Sequence, residues 1–246
     1  MNIIAFDTSM ETLGVIAESR GQQISITANI GYRHGESLLP WIERVCGDLS
    51  FSPKDSDMIV CTIGPGSFTG LRIGLATAKG MSSAAGCPVA GVPTLDFYSA
   101  GFSFFPGMVI PVIDARKKQF YTAMYHQGQR QSDYLDITAE ELAALADGKT
   151  PALFCGPDAA ALLPVIEQHY SRDTASEKTG ITASSFKKGL ITIFPSGADL
   201  FHLIRLGKNI LGTEGPLDPS AGPIYLRRSE AEIHHENMQA KKQTDT

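Results

Sequence analysis

Residues 58–86 constrain this chain more than any other stretch. Met58, Ile59, Val60 and Cys61 form a short apolar run of the kind that fills a buried strand. Gly64-Pro65-Gly66 comes next, pairing residues free of the usual backbone limits with one whose φ is fixed. Ser67 stands where a helix N-cap belongs, and a helix is predicted from Phe68 to about Ala85. Gly86 closes that helix and Pro88 lies beyond it. Strand, glycine turn and helix N-terminus together make an arrangement that binds phosphate in many proteins, because free N–H groups and the helix dipole face an anion.

Known phosphate and nucleophile signatures do not fit the stretch. A Walker loop needs Lys-Ser/Thr after its last glycine, and Lys79 lies far down the helix. The dinucleotide fingerprint needs glycine at Thr69, and no acidic residue ends the next apolar run, Val89 to Val92. A serine-hydrolase elbow needs glycines where Pro65 and Thr69 stand. On spacing alone, a tight turn feeding a packed helix accounts for the residues better than a phosphate loop does.

With 246 residues the chain can build one large or two small domains with real cores. Its 43% hydrophobic and 19% charged residues describe an ordinary globular protein. A formal net charge of −5 argues against a chain that grips nucleic acid by itself. Cys46, Cys61, Cys87 and Cys155 form no C-x-x-C pair and read as buried, reduced thiols of a cytosolic protein. The start of the chain opens on a strand pattern without a basic leader, and no run reaches membrane-spanning length.

Taken in order, Asn2 to Phe6, Leu13 to Glu18 and Gln23 to Ala28 read as three strands, with Arg20-Gly21 as a hairpin turn. An amphipathic helix carries Leu38, Leu39, Ile42, Val45 and Cys46. Pro40 confines its start to about Ser37. After the central strand and helix come a strand ending at Val92 and a helix, Leu95 to Ala100, capped by Thr94. Three strands, helix, strand, helix, strand, helix is an α/β order with a mixed sheet.

Gly101 to Gly107 reads as a boundary, and the residues beyond it repeat the opening of the chain. Val109 to Ile113 leads to Asp114-Ala115-Arg116 as Ile3 to Phe6 leads to Asp7-Thr8-Ser9. Gln119 to Tyr125 then stands where Leu13 to Glu18 stood. Two related subdomains, 1–105 and 106–230, are expected, with a frayed tail at 231–246. Within the second, Thr138 and Glu141 form a capping box for a helix to Ala146, and Ala152 to Cys155 is a strand. Asp158 to His169 is helical around Pro164, and Ser196 to Leu211 is a helix capped by Ser196 and ended by Gly212. Ser171 to Lys188 shows no pattern.

These residues resemble the bacterial TsaB family, which serves threonylcarbamoyladenosine modification of tRNA and whose members are also called inactive glycoprotease homologues. Asp7-Thr8-Ser9, His34-Gly35-Glu36-Ser37-Leu38-Leu39-Pro40 and Gly64 through Lys79-Gly80 carry the likeness. Gly91-Val92, Asp114-Ala115-Arg116-Lys117 with Tyr121, and Pro223-Ile224-Tyr225-Leu226-Arg227 add to it. Gly35 stands where the family usually has serine. The resemblance implies an actin-like ATPase (RNase H-like) fold of two related subdomains with mixed sheets. It also implies a non-catalytic partner of the catalytic subunit TsaD, with the ATPase TsaE joining them and tRNA reached only through the complex. No membrane role and no resident cofactor are implied, any ATP or ADP affinity being weak and expressed mainly in the complex.

In active members of such a fold, aspartates at the ends of the first strands face a nucleotide across the cleft. Asp7, Asp114 and Arg116 are therefore the residues of a remnant nucleotide cleft, or else they cap turns. The scattered histidines, His34 among them, offer no metal-ligand spacing. A nucleotide-hydrolysing or phosphotransferring enzyme of the same fold is the alternative to a partner subunit, and a metallopeptidase a weaker third. Around the helix from Gly70, Leu71, Leu75 and Ala78 form one apolar face, suited to the sheet. Gly70, Ile73, Gly74, Thr77, Met81 and Ala84 form a second, smoother one. With Leu38, Leu39 and Ile42 of the preceding helix it is the expected partner interface, for TsaD or for a second copy when the chain is alone.

Overall fold

The structure is a computed structural model, and it describes residues 1–147, 151–171, 191–194 and 199–227. Its first sheet runs β3-β2-β1-β4-β5, formed by β1 (Asn2–Asp7), β2 (Thr12–Ser19), β3 (Gln22–Asn29), β4 (Met58–Gly64) and β5 (Val89–Pro93). β1, β2 and β3 are antiparallel; β1, β4 and β5 are parallel. β4 is buried along its whole length, which explains its unbroken apolar run.

The second sheet repeats this plan. β6 (Met108–Asp114) lies between antiparallel β7 (Gln119–Thr122) and parallel β11 (Ala152–Cys155), with β10 (Leu135–Thr138) and β12 (Ile191–Phe194) outside them. The order β10-β7-β6-β11-β12 matches β3-β2-β1-β4-β5 strand for strand. The duplication read from Asp7 and Asp114 thus extends to a third strand, β10, that the sequence pattern does not reveal.

Five layers result. α1 (His34–Asp48) and α2 (Phe68–Ala85) cover one face of the first sheet, burying Leu38, Ile42, Leu75 and Ala78 on Ile4, Phe6 and Cys61. α3 (Thr94–Ser99) and α6 (Leu200–Thr213) fill the middle layer against Ile3, Ala5 and Val60 on one side and Val109, Ile113 and Leu153 on the other. α4 (Ala139–Leu145) and α5 (Leu163–Ser171) close the far face over Ile110, Val112 and Phe154. Alternation along β1 and β6 sends successive side chains into different cores. α6 comes after the second sheet in sequence but packs on the first, against β5, β1 and β4. One core therefore spans both halves of the chain.

Several expected boundaries move, each for a physical reason. α2 spans Phe68–Ala85 as expected, with Ser67 Oγ accepting the Gly70 N–H at 3.3 Å and Gly86 in the left-handed region at φ 67°. α1 begins at His34 rather than Ser37, so Pro40 lies inside it. The buried stripe His34, Leu38, Ile42 and Val45 holds that first turn, while Pro40 sits on the exposed side where water reaches the freed carbonyl. Thr94 opens α3 instead of capping it, because its Oγ1 accepts the Gly64 N–H at 3.2 Å. The strand expected to run to Tyr125 breaks after Thr122, where the Met124 N–H turns to Ser132 Oγ at 3.0 Å. A short hairpin, β8 (Tyr125–His126) and β9 (Gln129–Arg130), comes next. α6 is capped by Asp199, whose Oδ1 accepts the Phe201 N–H at 3.0 Å, and runs through Gly212. Ser196, the 172–190 segment and the 231–246 tail lie outside the described residues.

Candidate functional site

A cavity of about 560 Å³ opens between the halves, where β1 and β6 end. Its walls are the loop after β1, the turn after β6, the first residues of α1 and the N-terminus of α2. Ligands in open α/β sheets bind at such carboxyl ends of strands. Three carboxylates, Glu11, Asp114 and Asp158, line the walls beside a single guanidinium, Arg116. Among the described residues no metal-ligating cluster forms.

Of the three residues assigned to a remnant nucleotide cleft, two reach the cavity. Asp114 binds the Arg116 backbone N–H at 2.7 Å and its guanidinium at 3.3 Å, and Arg116 also pairs with Glu11 at 3.5 Å. Arg116, Lys117 and Lys118 all have positive φ, at 63°, 56° and 61°, three successive non-glycine residues in a conformation costing roughly 1–2 kcal/mol each. The Ala115 N–H to Gln119 carbonyl bond of 2.9 Å clamps that turn. Burial raises the Asp158 carboxyl above its usual range, and the hydrogen bond from the Asp114 N–H offsets part of that rise.

Asp7 is placed differently. Its Oδ1 accepts the Thr62 hydroxyl at 2.7 Å and the Ser9 N–H at 2.9 Å, and its Oδ2 accepts the Tyr98 hydroxyl at 3.3 Å. It is buried and does not line the cavity. The Ser67 N–H bonds the Ser9 carbonyl at 2.7 Å, which seals the loop after β1 onto α2.

The expected interface face is divided by the fold. Gly70 and Gly74 are buried, and a Cβ on either would fall 2.0 Å from the Thr8 carbonyl oxygen or 2.3 Å from Thr8 Oγ1. These glycines let α2 lie on the loop after β1, a contact within the chain. Leu38 and Ile42 also face the core. What stays accessible is Leu39, 50% exposed, the half-buried Ile73, Thr77 and Met81, and the exposed Ala84, with α1 beside α2.

Ser9 and His34 stand in the sequence only as parts of longer motifs, with no cavity role to be read from them. Both line the cavity; His34 Nε2 is buried without a hydrogen-bond partner, and the Ser9 side chain meets the Tyr98 hydroxyl. Burial also lowers the proton affinity of His34, so the ring is neutral at pH 7. Tyr32, at the cavity wall, is 75% exposed. The four cysteines are buried and unpaired, and burial pushes the Cys46 and Cys61 thiols up to about 12, far from thiolate nucleophiles. No helix among the described residues is long and apolar enough to cross a membrane.

Comparison with known proteins agrees with this architecture. A family model described as TsaD, tRNA N6-adenosine threonylcarbamoyltransferase, matches residues 15–160. The tRNA threonylcarbamoyladenosine biosynthesis protein TsaB of Bacillus subtilis is 34% identical over 175 residues, 68% of this chain and 76% of that one. The TsaB protein of Escherichia coli is 31% identical over 131 residues, 52% of this chain and 57% of that one. YeaZ from Pseudomonas aeruginosa superposes with a TM-score of 0.70 at 21% identity, covering 92% of this chain and 99% of that one, so the two share a fold. A duplicated five-strand plan and these sequence matches lead to one assignment: the chain belongs to the TsaB, or YeaZ, family of tRNA threonylcarbamoyladenosine biosynthesis proteins.

Proposed function

We propose that this chain serves threonylcarbamoyladenosine biosynthesis as a non-catalytic subunit that docks a TsaD-type threonylcarbamoyltransferase through α1 and α2. The observation that carries the reading is apolar surface left over on two adjacent helices whose other faces already fill the core. Leu38, Ile42, Leu75 and Ala78 meet the sheet, while Leu39, Ile73, Thr77, Met81 and Ala84 remain at least partly accessible beside them. The sequestered Asp7 supports a non-catalytic role, since its oxygens serve Thr62, Ser9 and Tyr98. In this reading a TsaE-type ATPase joins the pair in the cytoplasm, tRNA is reached through the complex, and the same face pairs two copies when the partner is absent.

Thr77→Arg tests the face. Thr77 is half-buried, and an arginine there can lift its guanidinium into water in the free chain. Against a partner it becomes a buried, unpaired charge costing several kcal/mol, a loss of about a hundredfold or more in affinity. The variant is expected to melt within a few degrees of the parent and to elute apart from TsaD on size exclusion. Normal co-elution would place the interface elsewhere. ATP turnover by the chain alone, abolished by Asp7→Ala, would replace the partner reading with the enzymatic one.

A further inference from the structure

A second pocket, of about 300 Å³, opens in the middle layer between α3, α6 and the β8–β9 hairpin. It shares no residue with the cavity at the ends of β1 and β6, and none with α1 or α2. We propose that it binds a small acidic amino acid, with two guanidiniums for two carboxylates and one carboxylate oxygen for the ammonium. This goes beyond the docking proposal and does not depend on it.

The first observation is a pair of cations without counter-ions. Arg130 and Arg205 both line the pocket, and among the described residues neither forms an ion pair. Yet the chain carries a net charge of −5, and a carboxylate, Asp96, lines the same pocket. Exposed arginines are ordinarily solvated and mobile, whereas these two are held by uncharged groups. The Arg130 guanidinium lies 4.2 Å from the centre of the Tyr134 ring, and Arg205 donates to the Ala100 carbonyl at 3.3 Å. Each keeps most of its N–H donors for another acceptor. Part of the cost of ordering a guanidinium clamp is therefore met before any ligand arrives.

The second observation is how Asp96 is kept from them. Its Oδ1 accepts two hydroxyls, Tyr125 at 2.5 Å and Tyr134 at 2.9 Å. Burial raises both phenols well above their usual range, with Asp96 acting in the same direction, so both remain neutral donors. Neutral hydroxyls fix the carboxylate without supplying a counter-charge. Asp96 Oδ2 accepts no hydrogen bond among the described residues. The pocket thus presents two unpaired positive groups and one negative oxygen, all anchored by neighbours that leave their charge uncancelled.

Third, this count of charges selects the ligand. A single carboxylate leaves one guanidinium unanswered, and a phosphate brings oxygens of like charge to Asp96. A dicarboxylate with an α-ammonium answers all three groups. Asn209 and the half-buried Leu206 add an amide and an apolar wall. The volume, at the lower end of the range of small-molecule sites, suits a molecule of the size of glutamate.

Isothermal titration of the full chain, without any partner, decides the matter with four probes: L-glutamate, L-glutamine, glutarate and inorganic phosphate. L-Glutamate is expected to bind one to one with a Kd of about 1 mM or tighter. L-Glutamine lacks one carboxylate and glutarate lacks the ammonium, so each should bind about tenfold weaker, the loss of a charge-assisted hydrogen bond. Arg130→Gln and Arg205→Gln, both at exposed positions, should each weaken L-glutamate by about tenfold and leave melting unchanged. Asp96→Asn keeps an oxygen for both tyrosines and removes the charge that faces the ammonium. It should bring glutarate level with L-glutamate or ahead of it, a reversal that a purely structural role would not produce. If Asp96→Asn melts early, the two arginine variants decide alone. Absence of saturable heat with L-glutamate at millimolar concentration overturns the proposal. So does phosphate, L-glutamine or glutarate binding as tightly as L-glutamate, or an L-glutamate affinity unmoved by both arginine variants. A preference for L-glutamate over glutarate that survives in folded Asp96→Asn overturns it as well. Thr77→Arg should leave every one of these affinities unchanged, so failure of the docking reading and failure of this one are told apart.

Discussion

Gly70→Ala is expected to be the most damaging single-methyl substitution in α2, lowering stability by about 3 kcal/mol or more, at the upper end of overpacking costs. The added Cβ would lie 2.0 Å from the Thr8 carbonyl oxygen, a backbone atom that cannot swing aside. Thr8 is fixed from the other side as well, since its Oγ1 donates to the Gly70 carbonyl at 2.8 Å. Relief therefore requires moving α2 off the loop after β1, with Leu75 and Ala78 leaving the sheet in part. Gly80→Ala is the control on the same helix. Gly80 is exposed, and a Cβ there meets nothing within 4 Å. Higher helix propensity should then stabilise that variant by about 0.5–1 kcal/mol. Urea unfolding of the two variants beside the parent separates packing from propensity. Similar small changes in both would mean that α2 does not press on Thr8.

The same glycines show where sequence reading stops. Small residues one turn apart announce that something approaches a helix closely, and Gly66, Gly70 and Gly74 carry that signal clearly. They do not announce what approaches. The approaching group is Thr8-Ser9, some sixty residues upstream, through its backbone at Gly66 and Gly70 and through the Thr8 side chain at Gly74, and no local periodicity connects the two. Within elements the reading is sharp because the causes are local. Ser67 and Gly86 bound α2 through bonds to their own turns, and Thr138 with Glu141 starts α4 the same way. The duplication is legible from two aspartates because each ends a buried strand, and buried strands show as apolar runs. β10 is not, since Leu135-Asp136-Ile137-Thr138 is half-buried along its length and carries its own charge. The cavity is legible only in part: Asp114 and Arg116 come from the repeat, whereas the orientation of Asp7 depends on Thr62 and Tyr98 from two other elements. Orphaned atoms such as His34 Nε2 have no sequence signature at all.

Arg227→Ala should be the second costly change, at about 2–3 kcal/mol, although the residue belongs to no helix or strand. Residues 217–227 run as a strap from α6 across the edge of the first sheet to the second. The Leu217 N–H bonds the Val89 carbonyl at 2.8 Å and the Ile224 N–H bonds the Ile63 carbonyl at 2.6 Å. Lys79 Nζ donates to the Pro219 and Ala221 carbonyls at 2.7 and 2.5 Å, and Tyr225 stacks on Phe68 at 4.5 Å. At its end Arg227 crosses to the other half. Its guanidinium donates to both oxygens of Asp136 at 2.9 and 2.7 Å, to the Ala115 carbonyl at 3.2 Å, and to Gln119 Oε1. With side chains 25% and 18% exposed, this pair is neither a surface bridge, usually worth under about 1 kcal/mol, nor a fully buried one, whose rupture costs about 3–5 kcal/mol. Truncation leaves the Asp136 carboxylate in a dry setting without its cation, and that stranded charge accounts for much of the expected loss. Asp136→Asn should consequently restore part of the stability when combined with Arg227→Ala, giving a coupling energy of about 1–2 kcal/mol in the double-mutant cycle. Arg227→Lys keeps the charge but loses the planar fork that reaches several acceptors at once, so it should fall between parent and alanine. A cycle in which the two losses simply add would show that the strap is held by its backbone bonds to Val89 and Ile63 rather than by the guanidinium at its end.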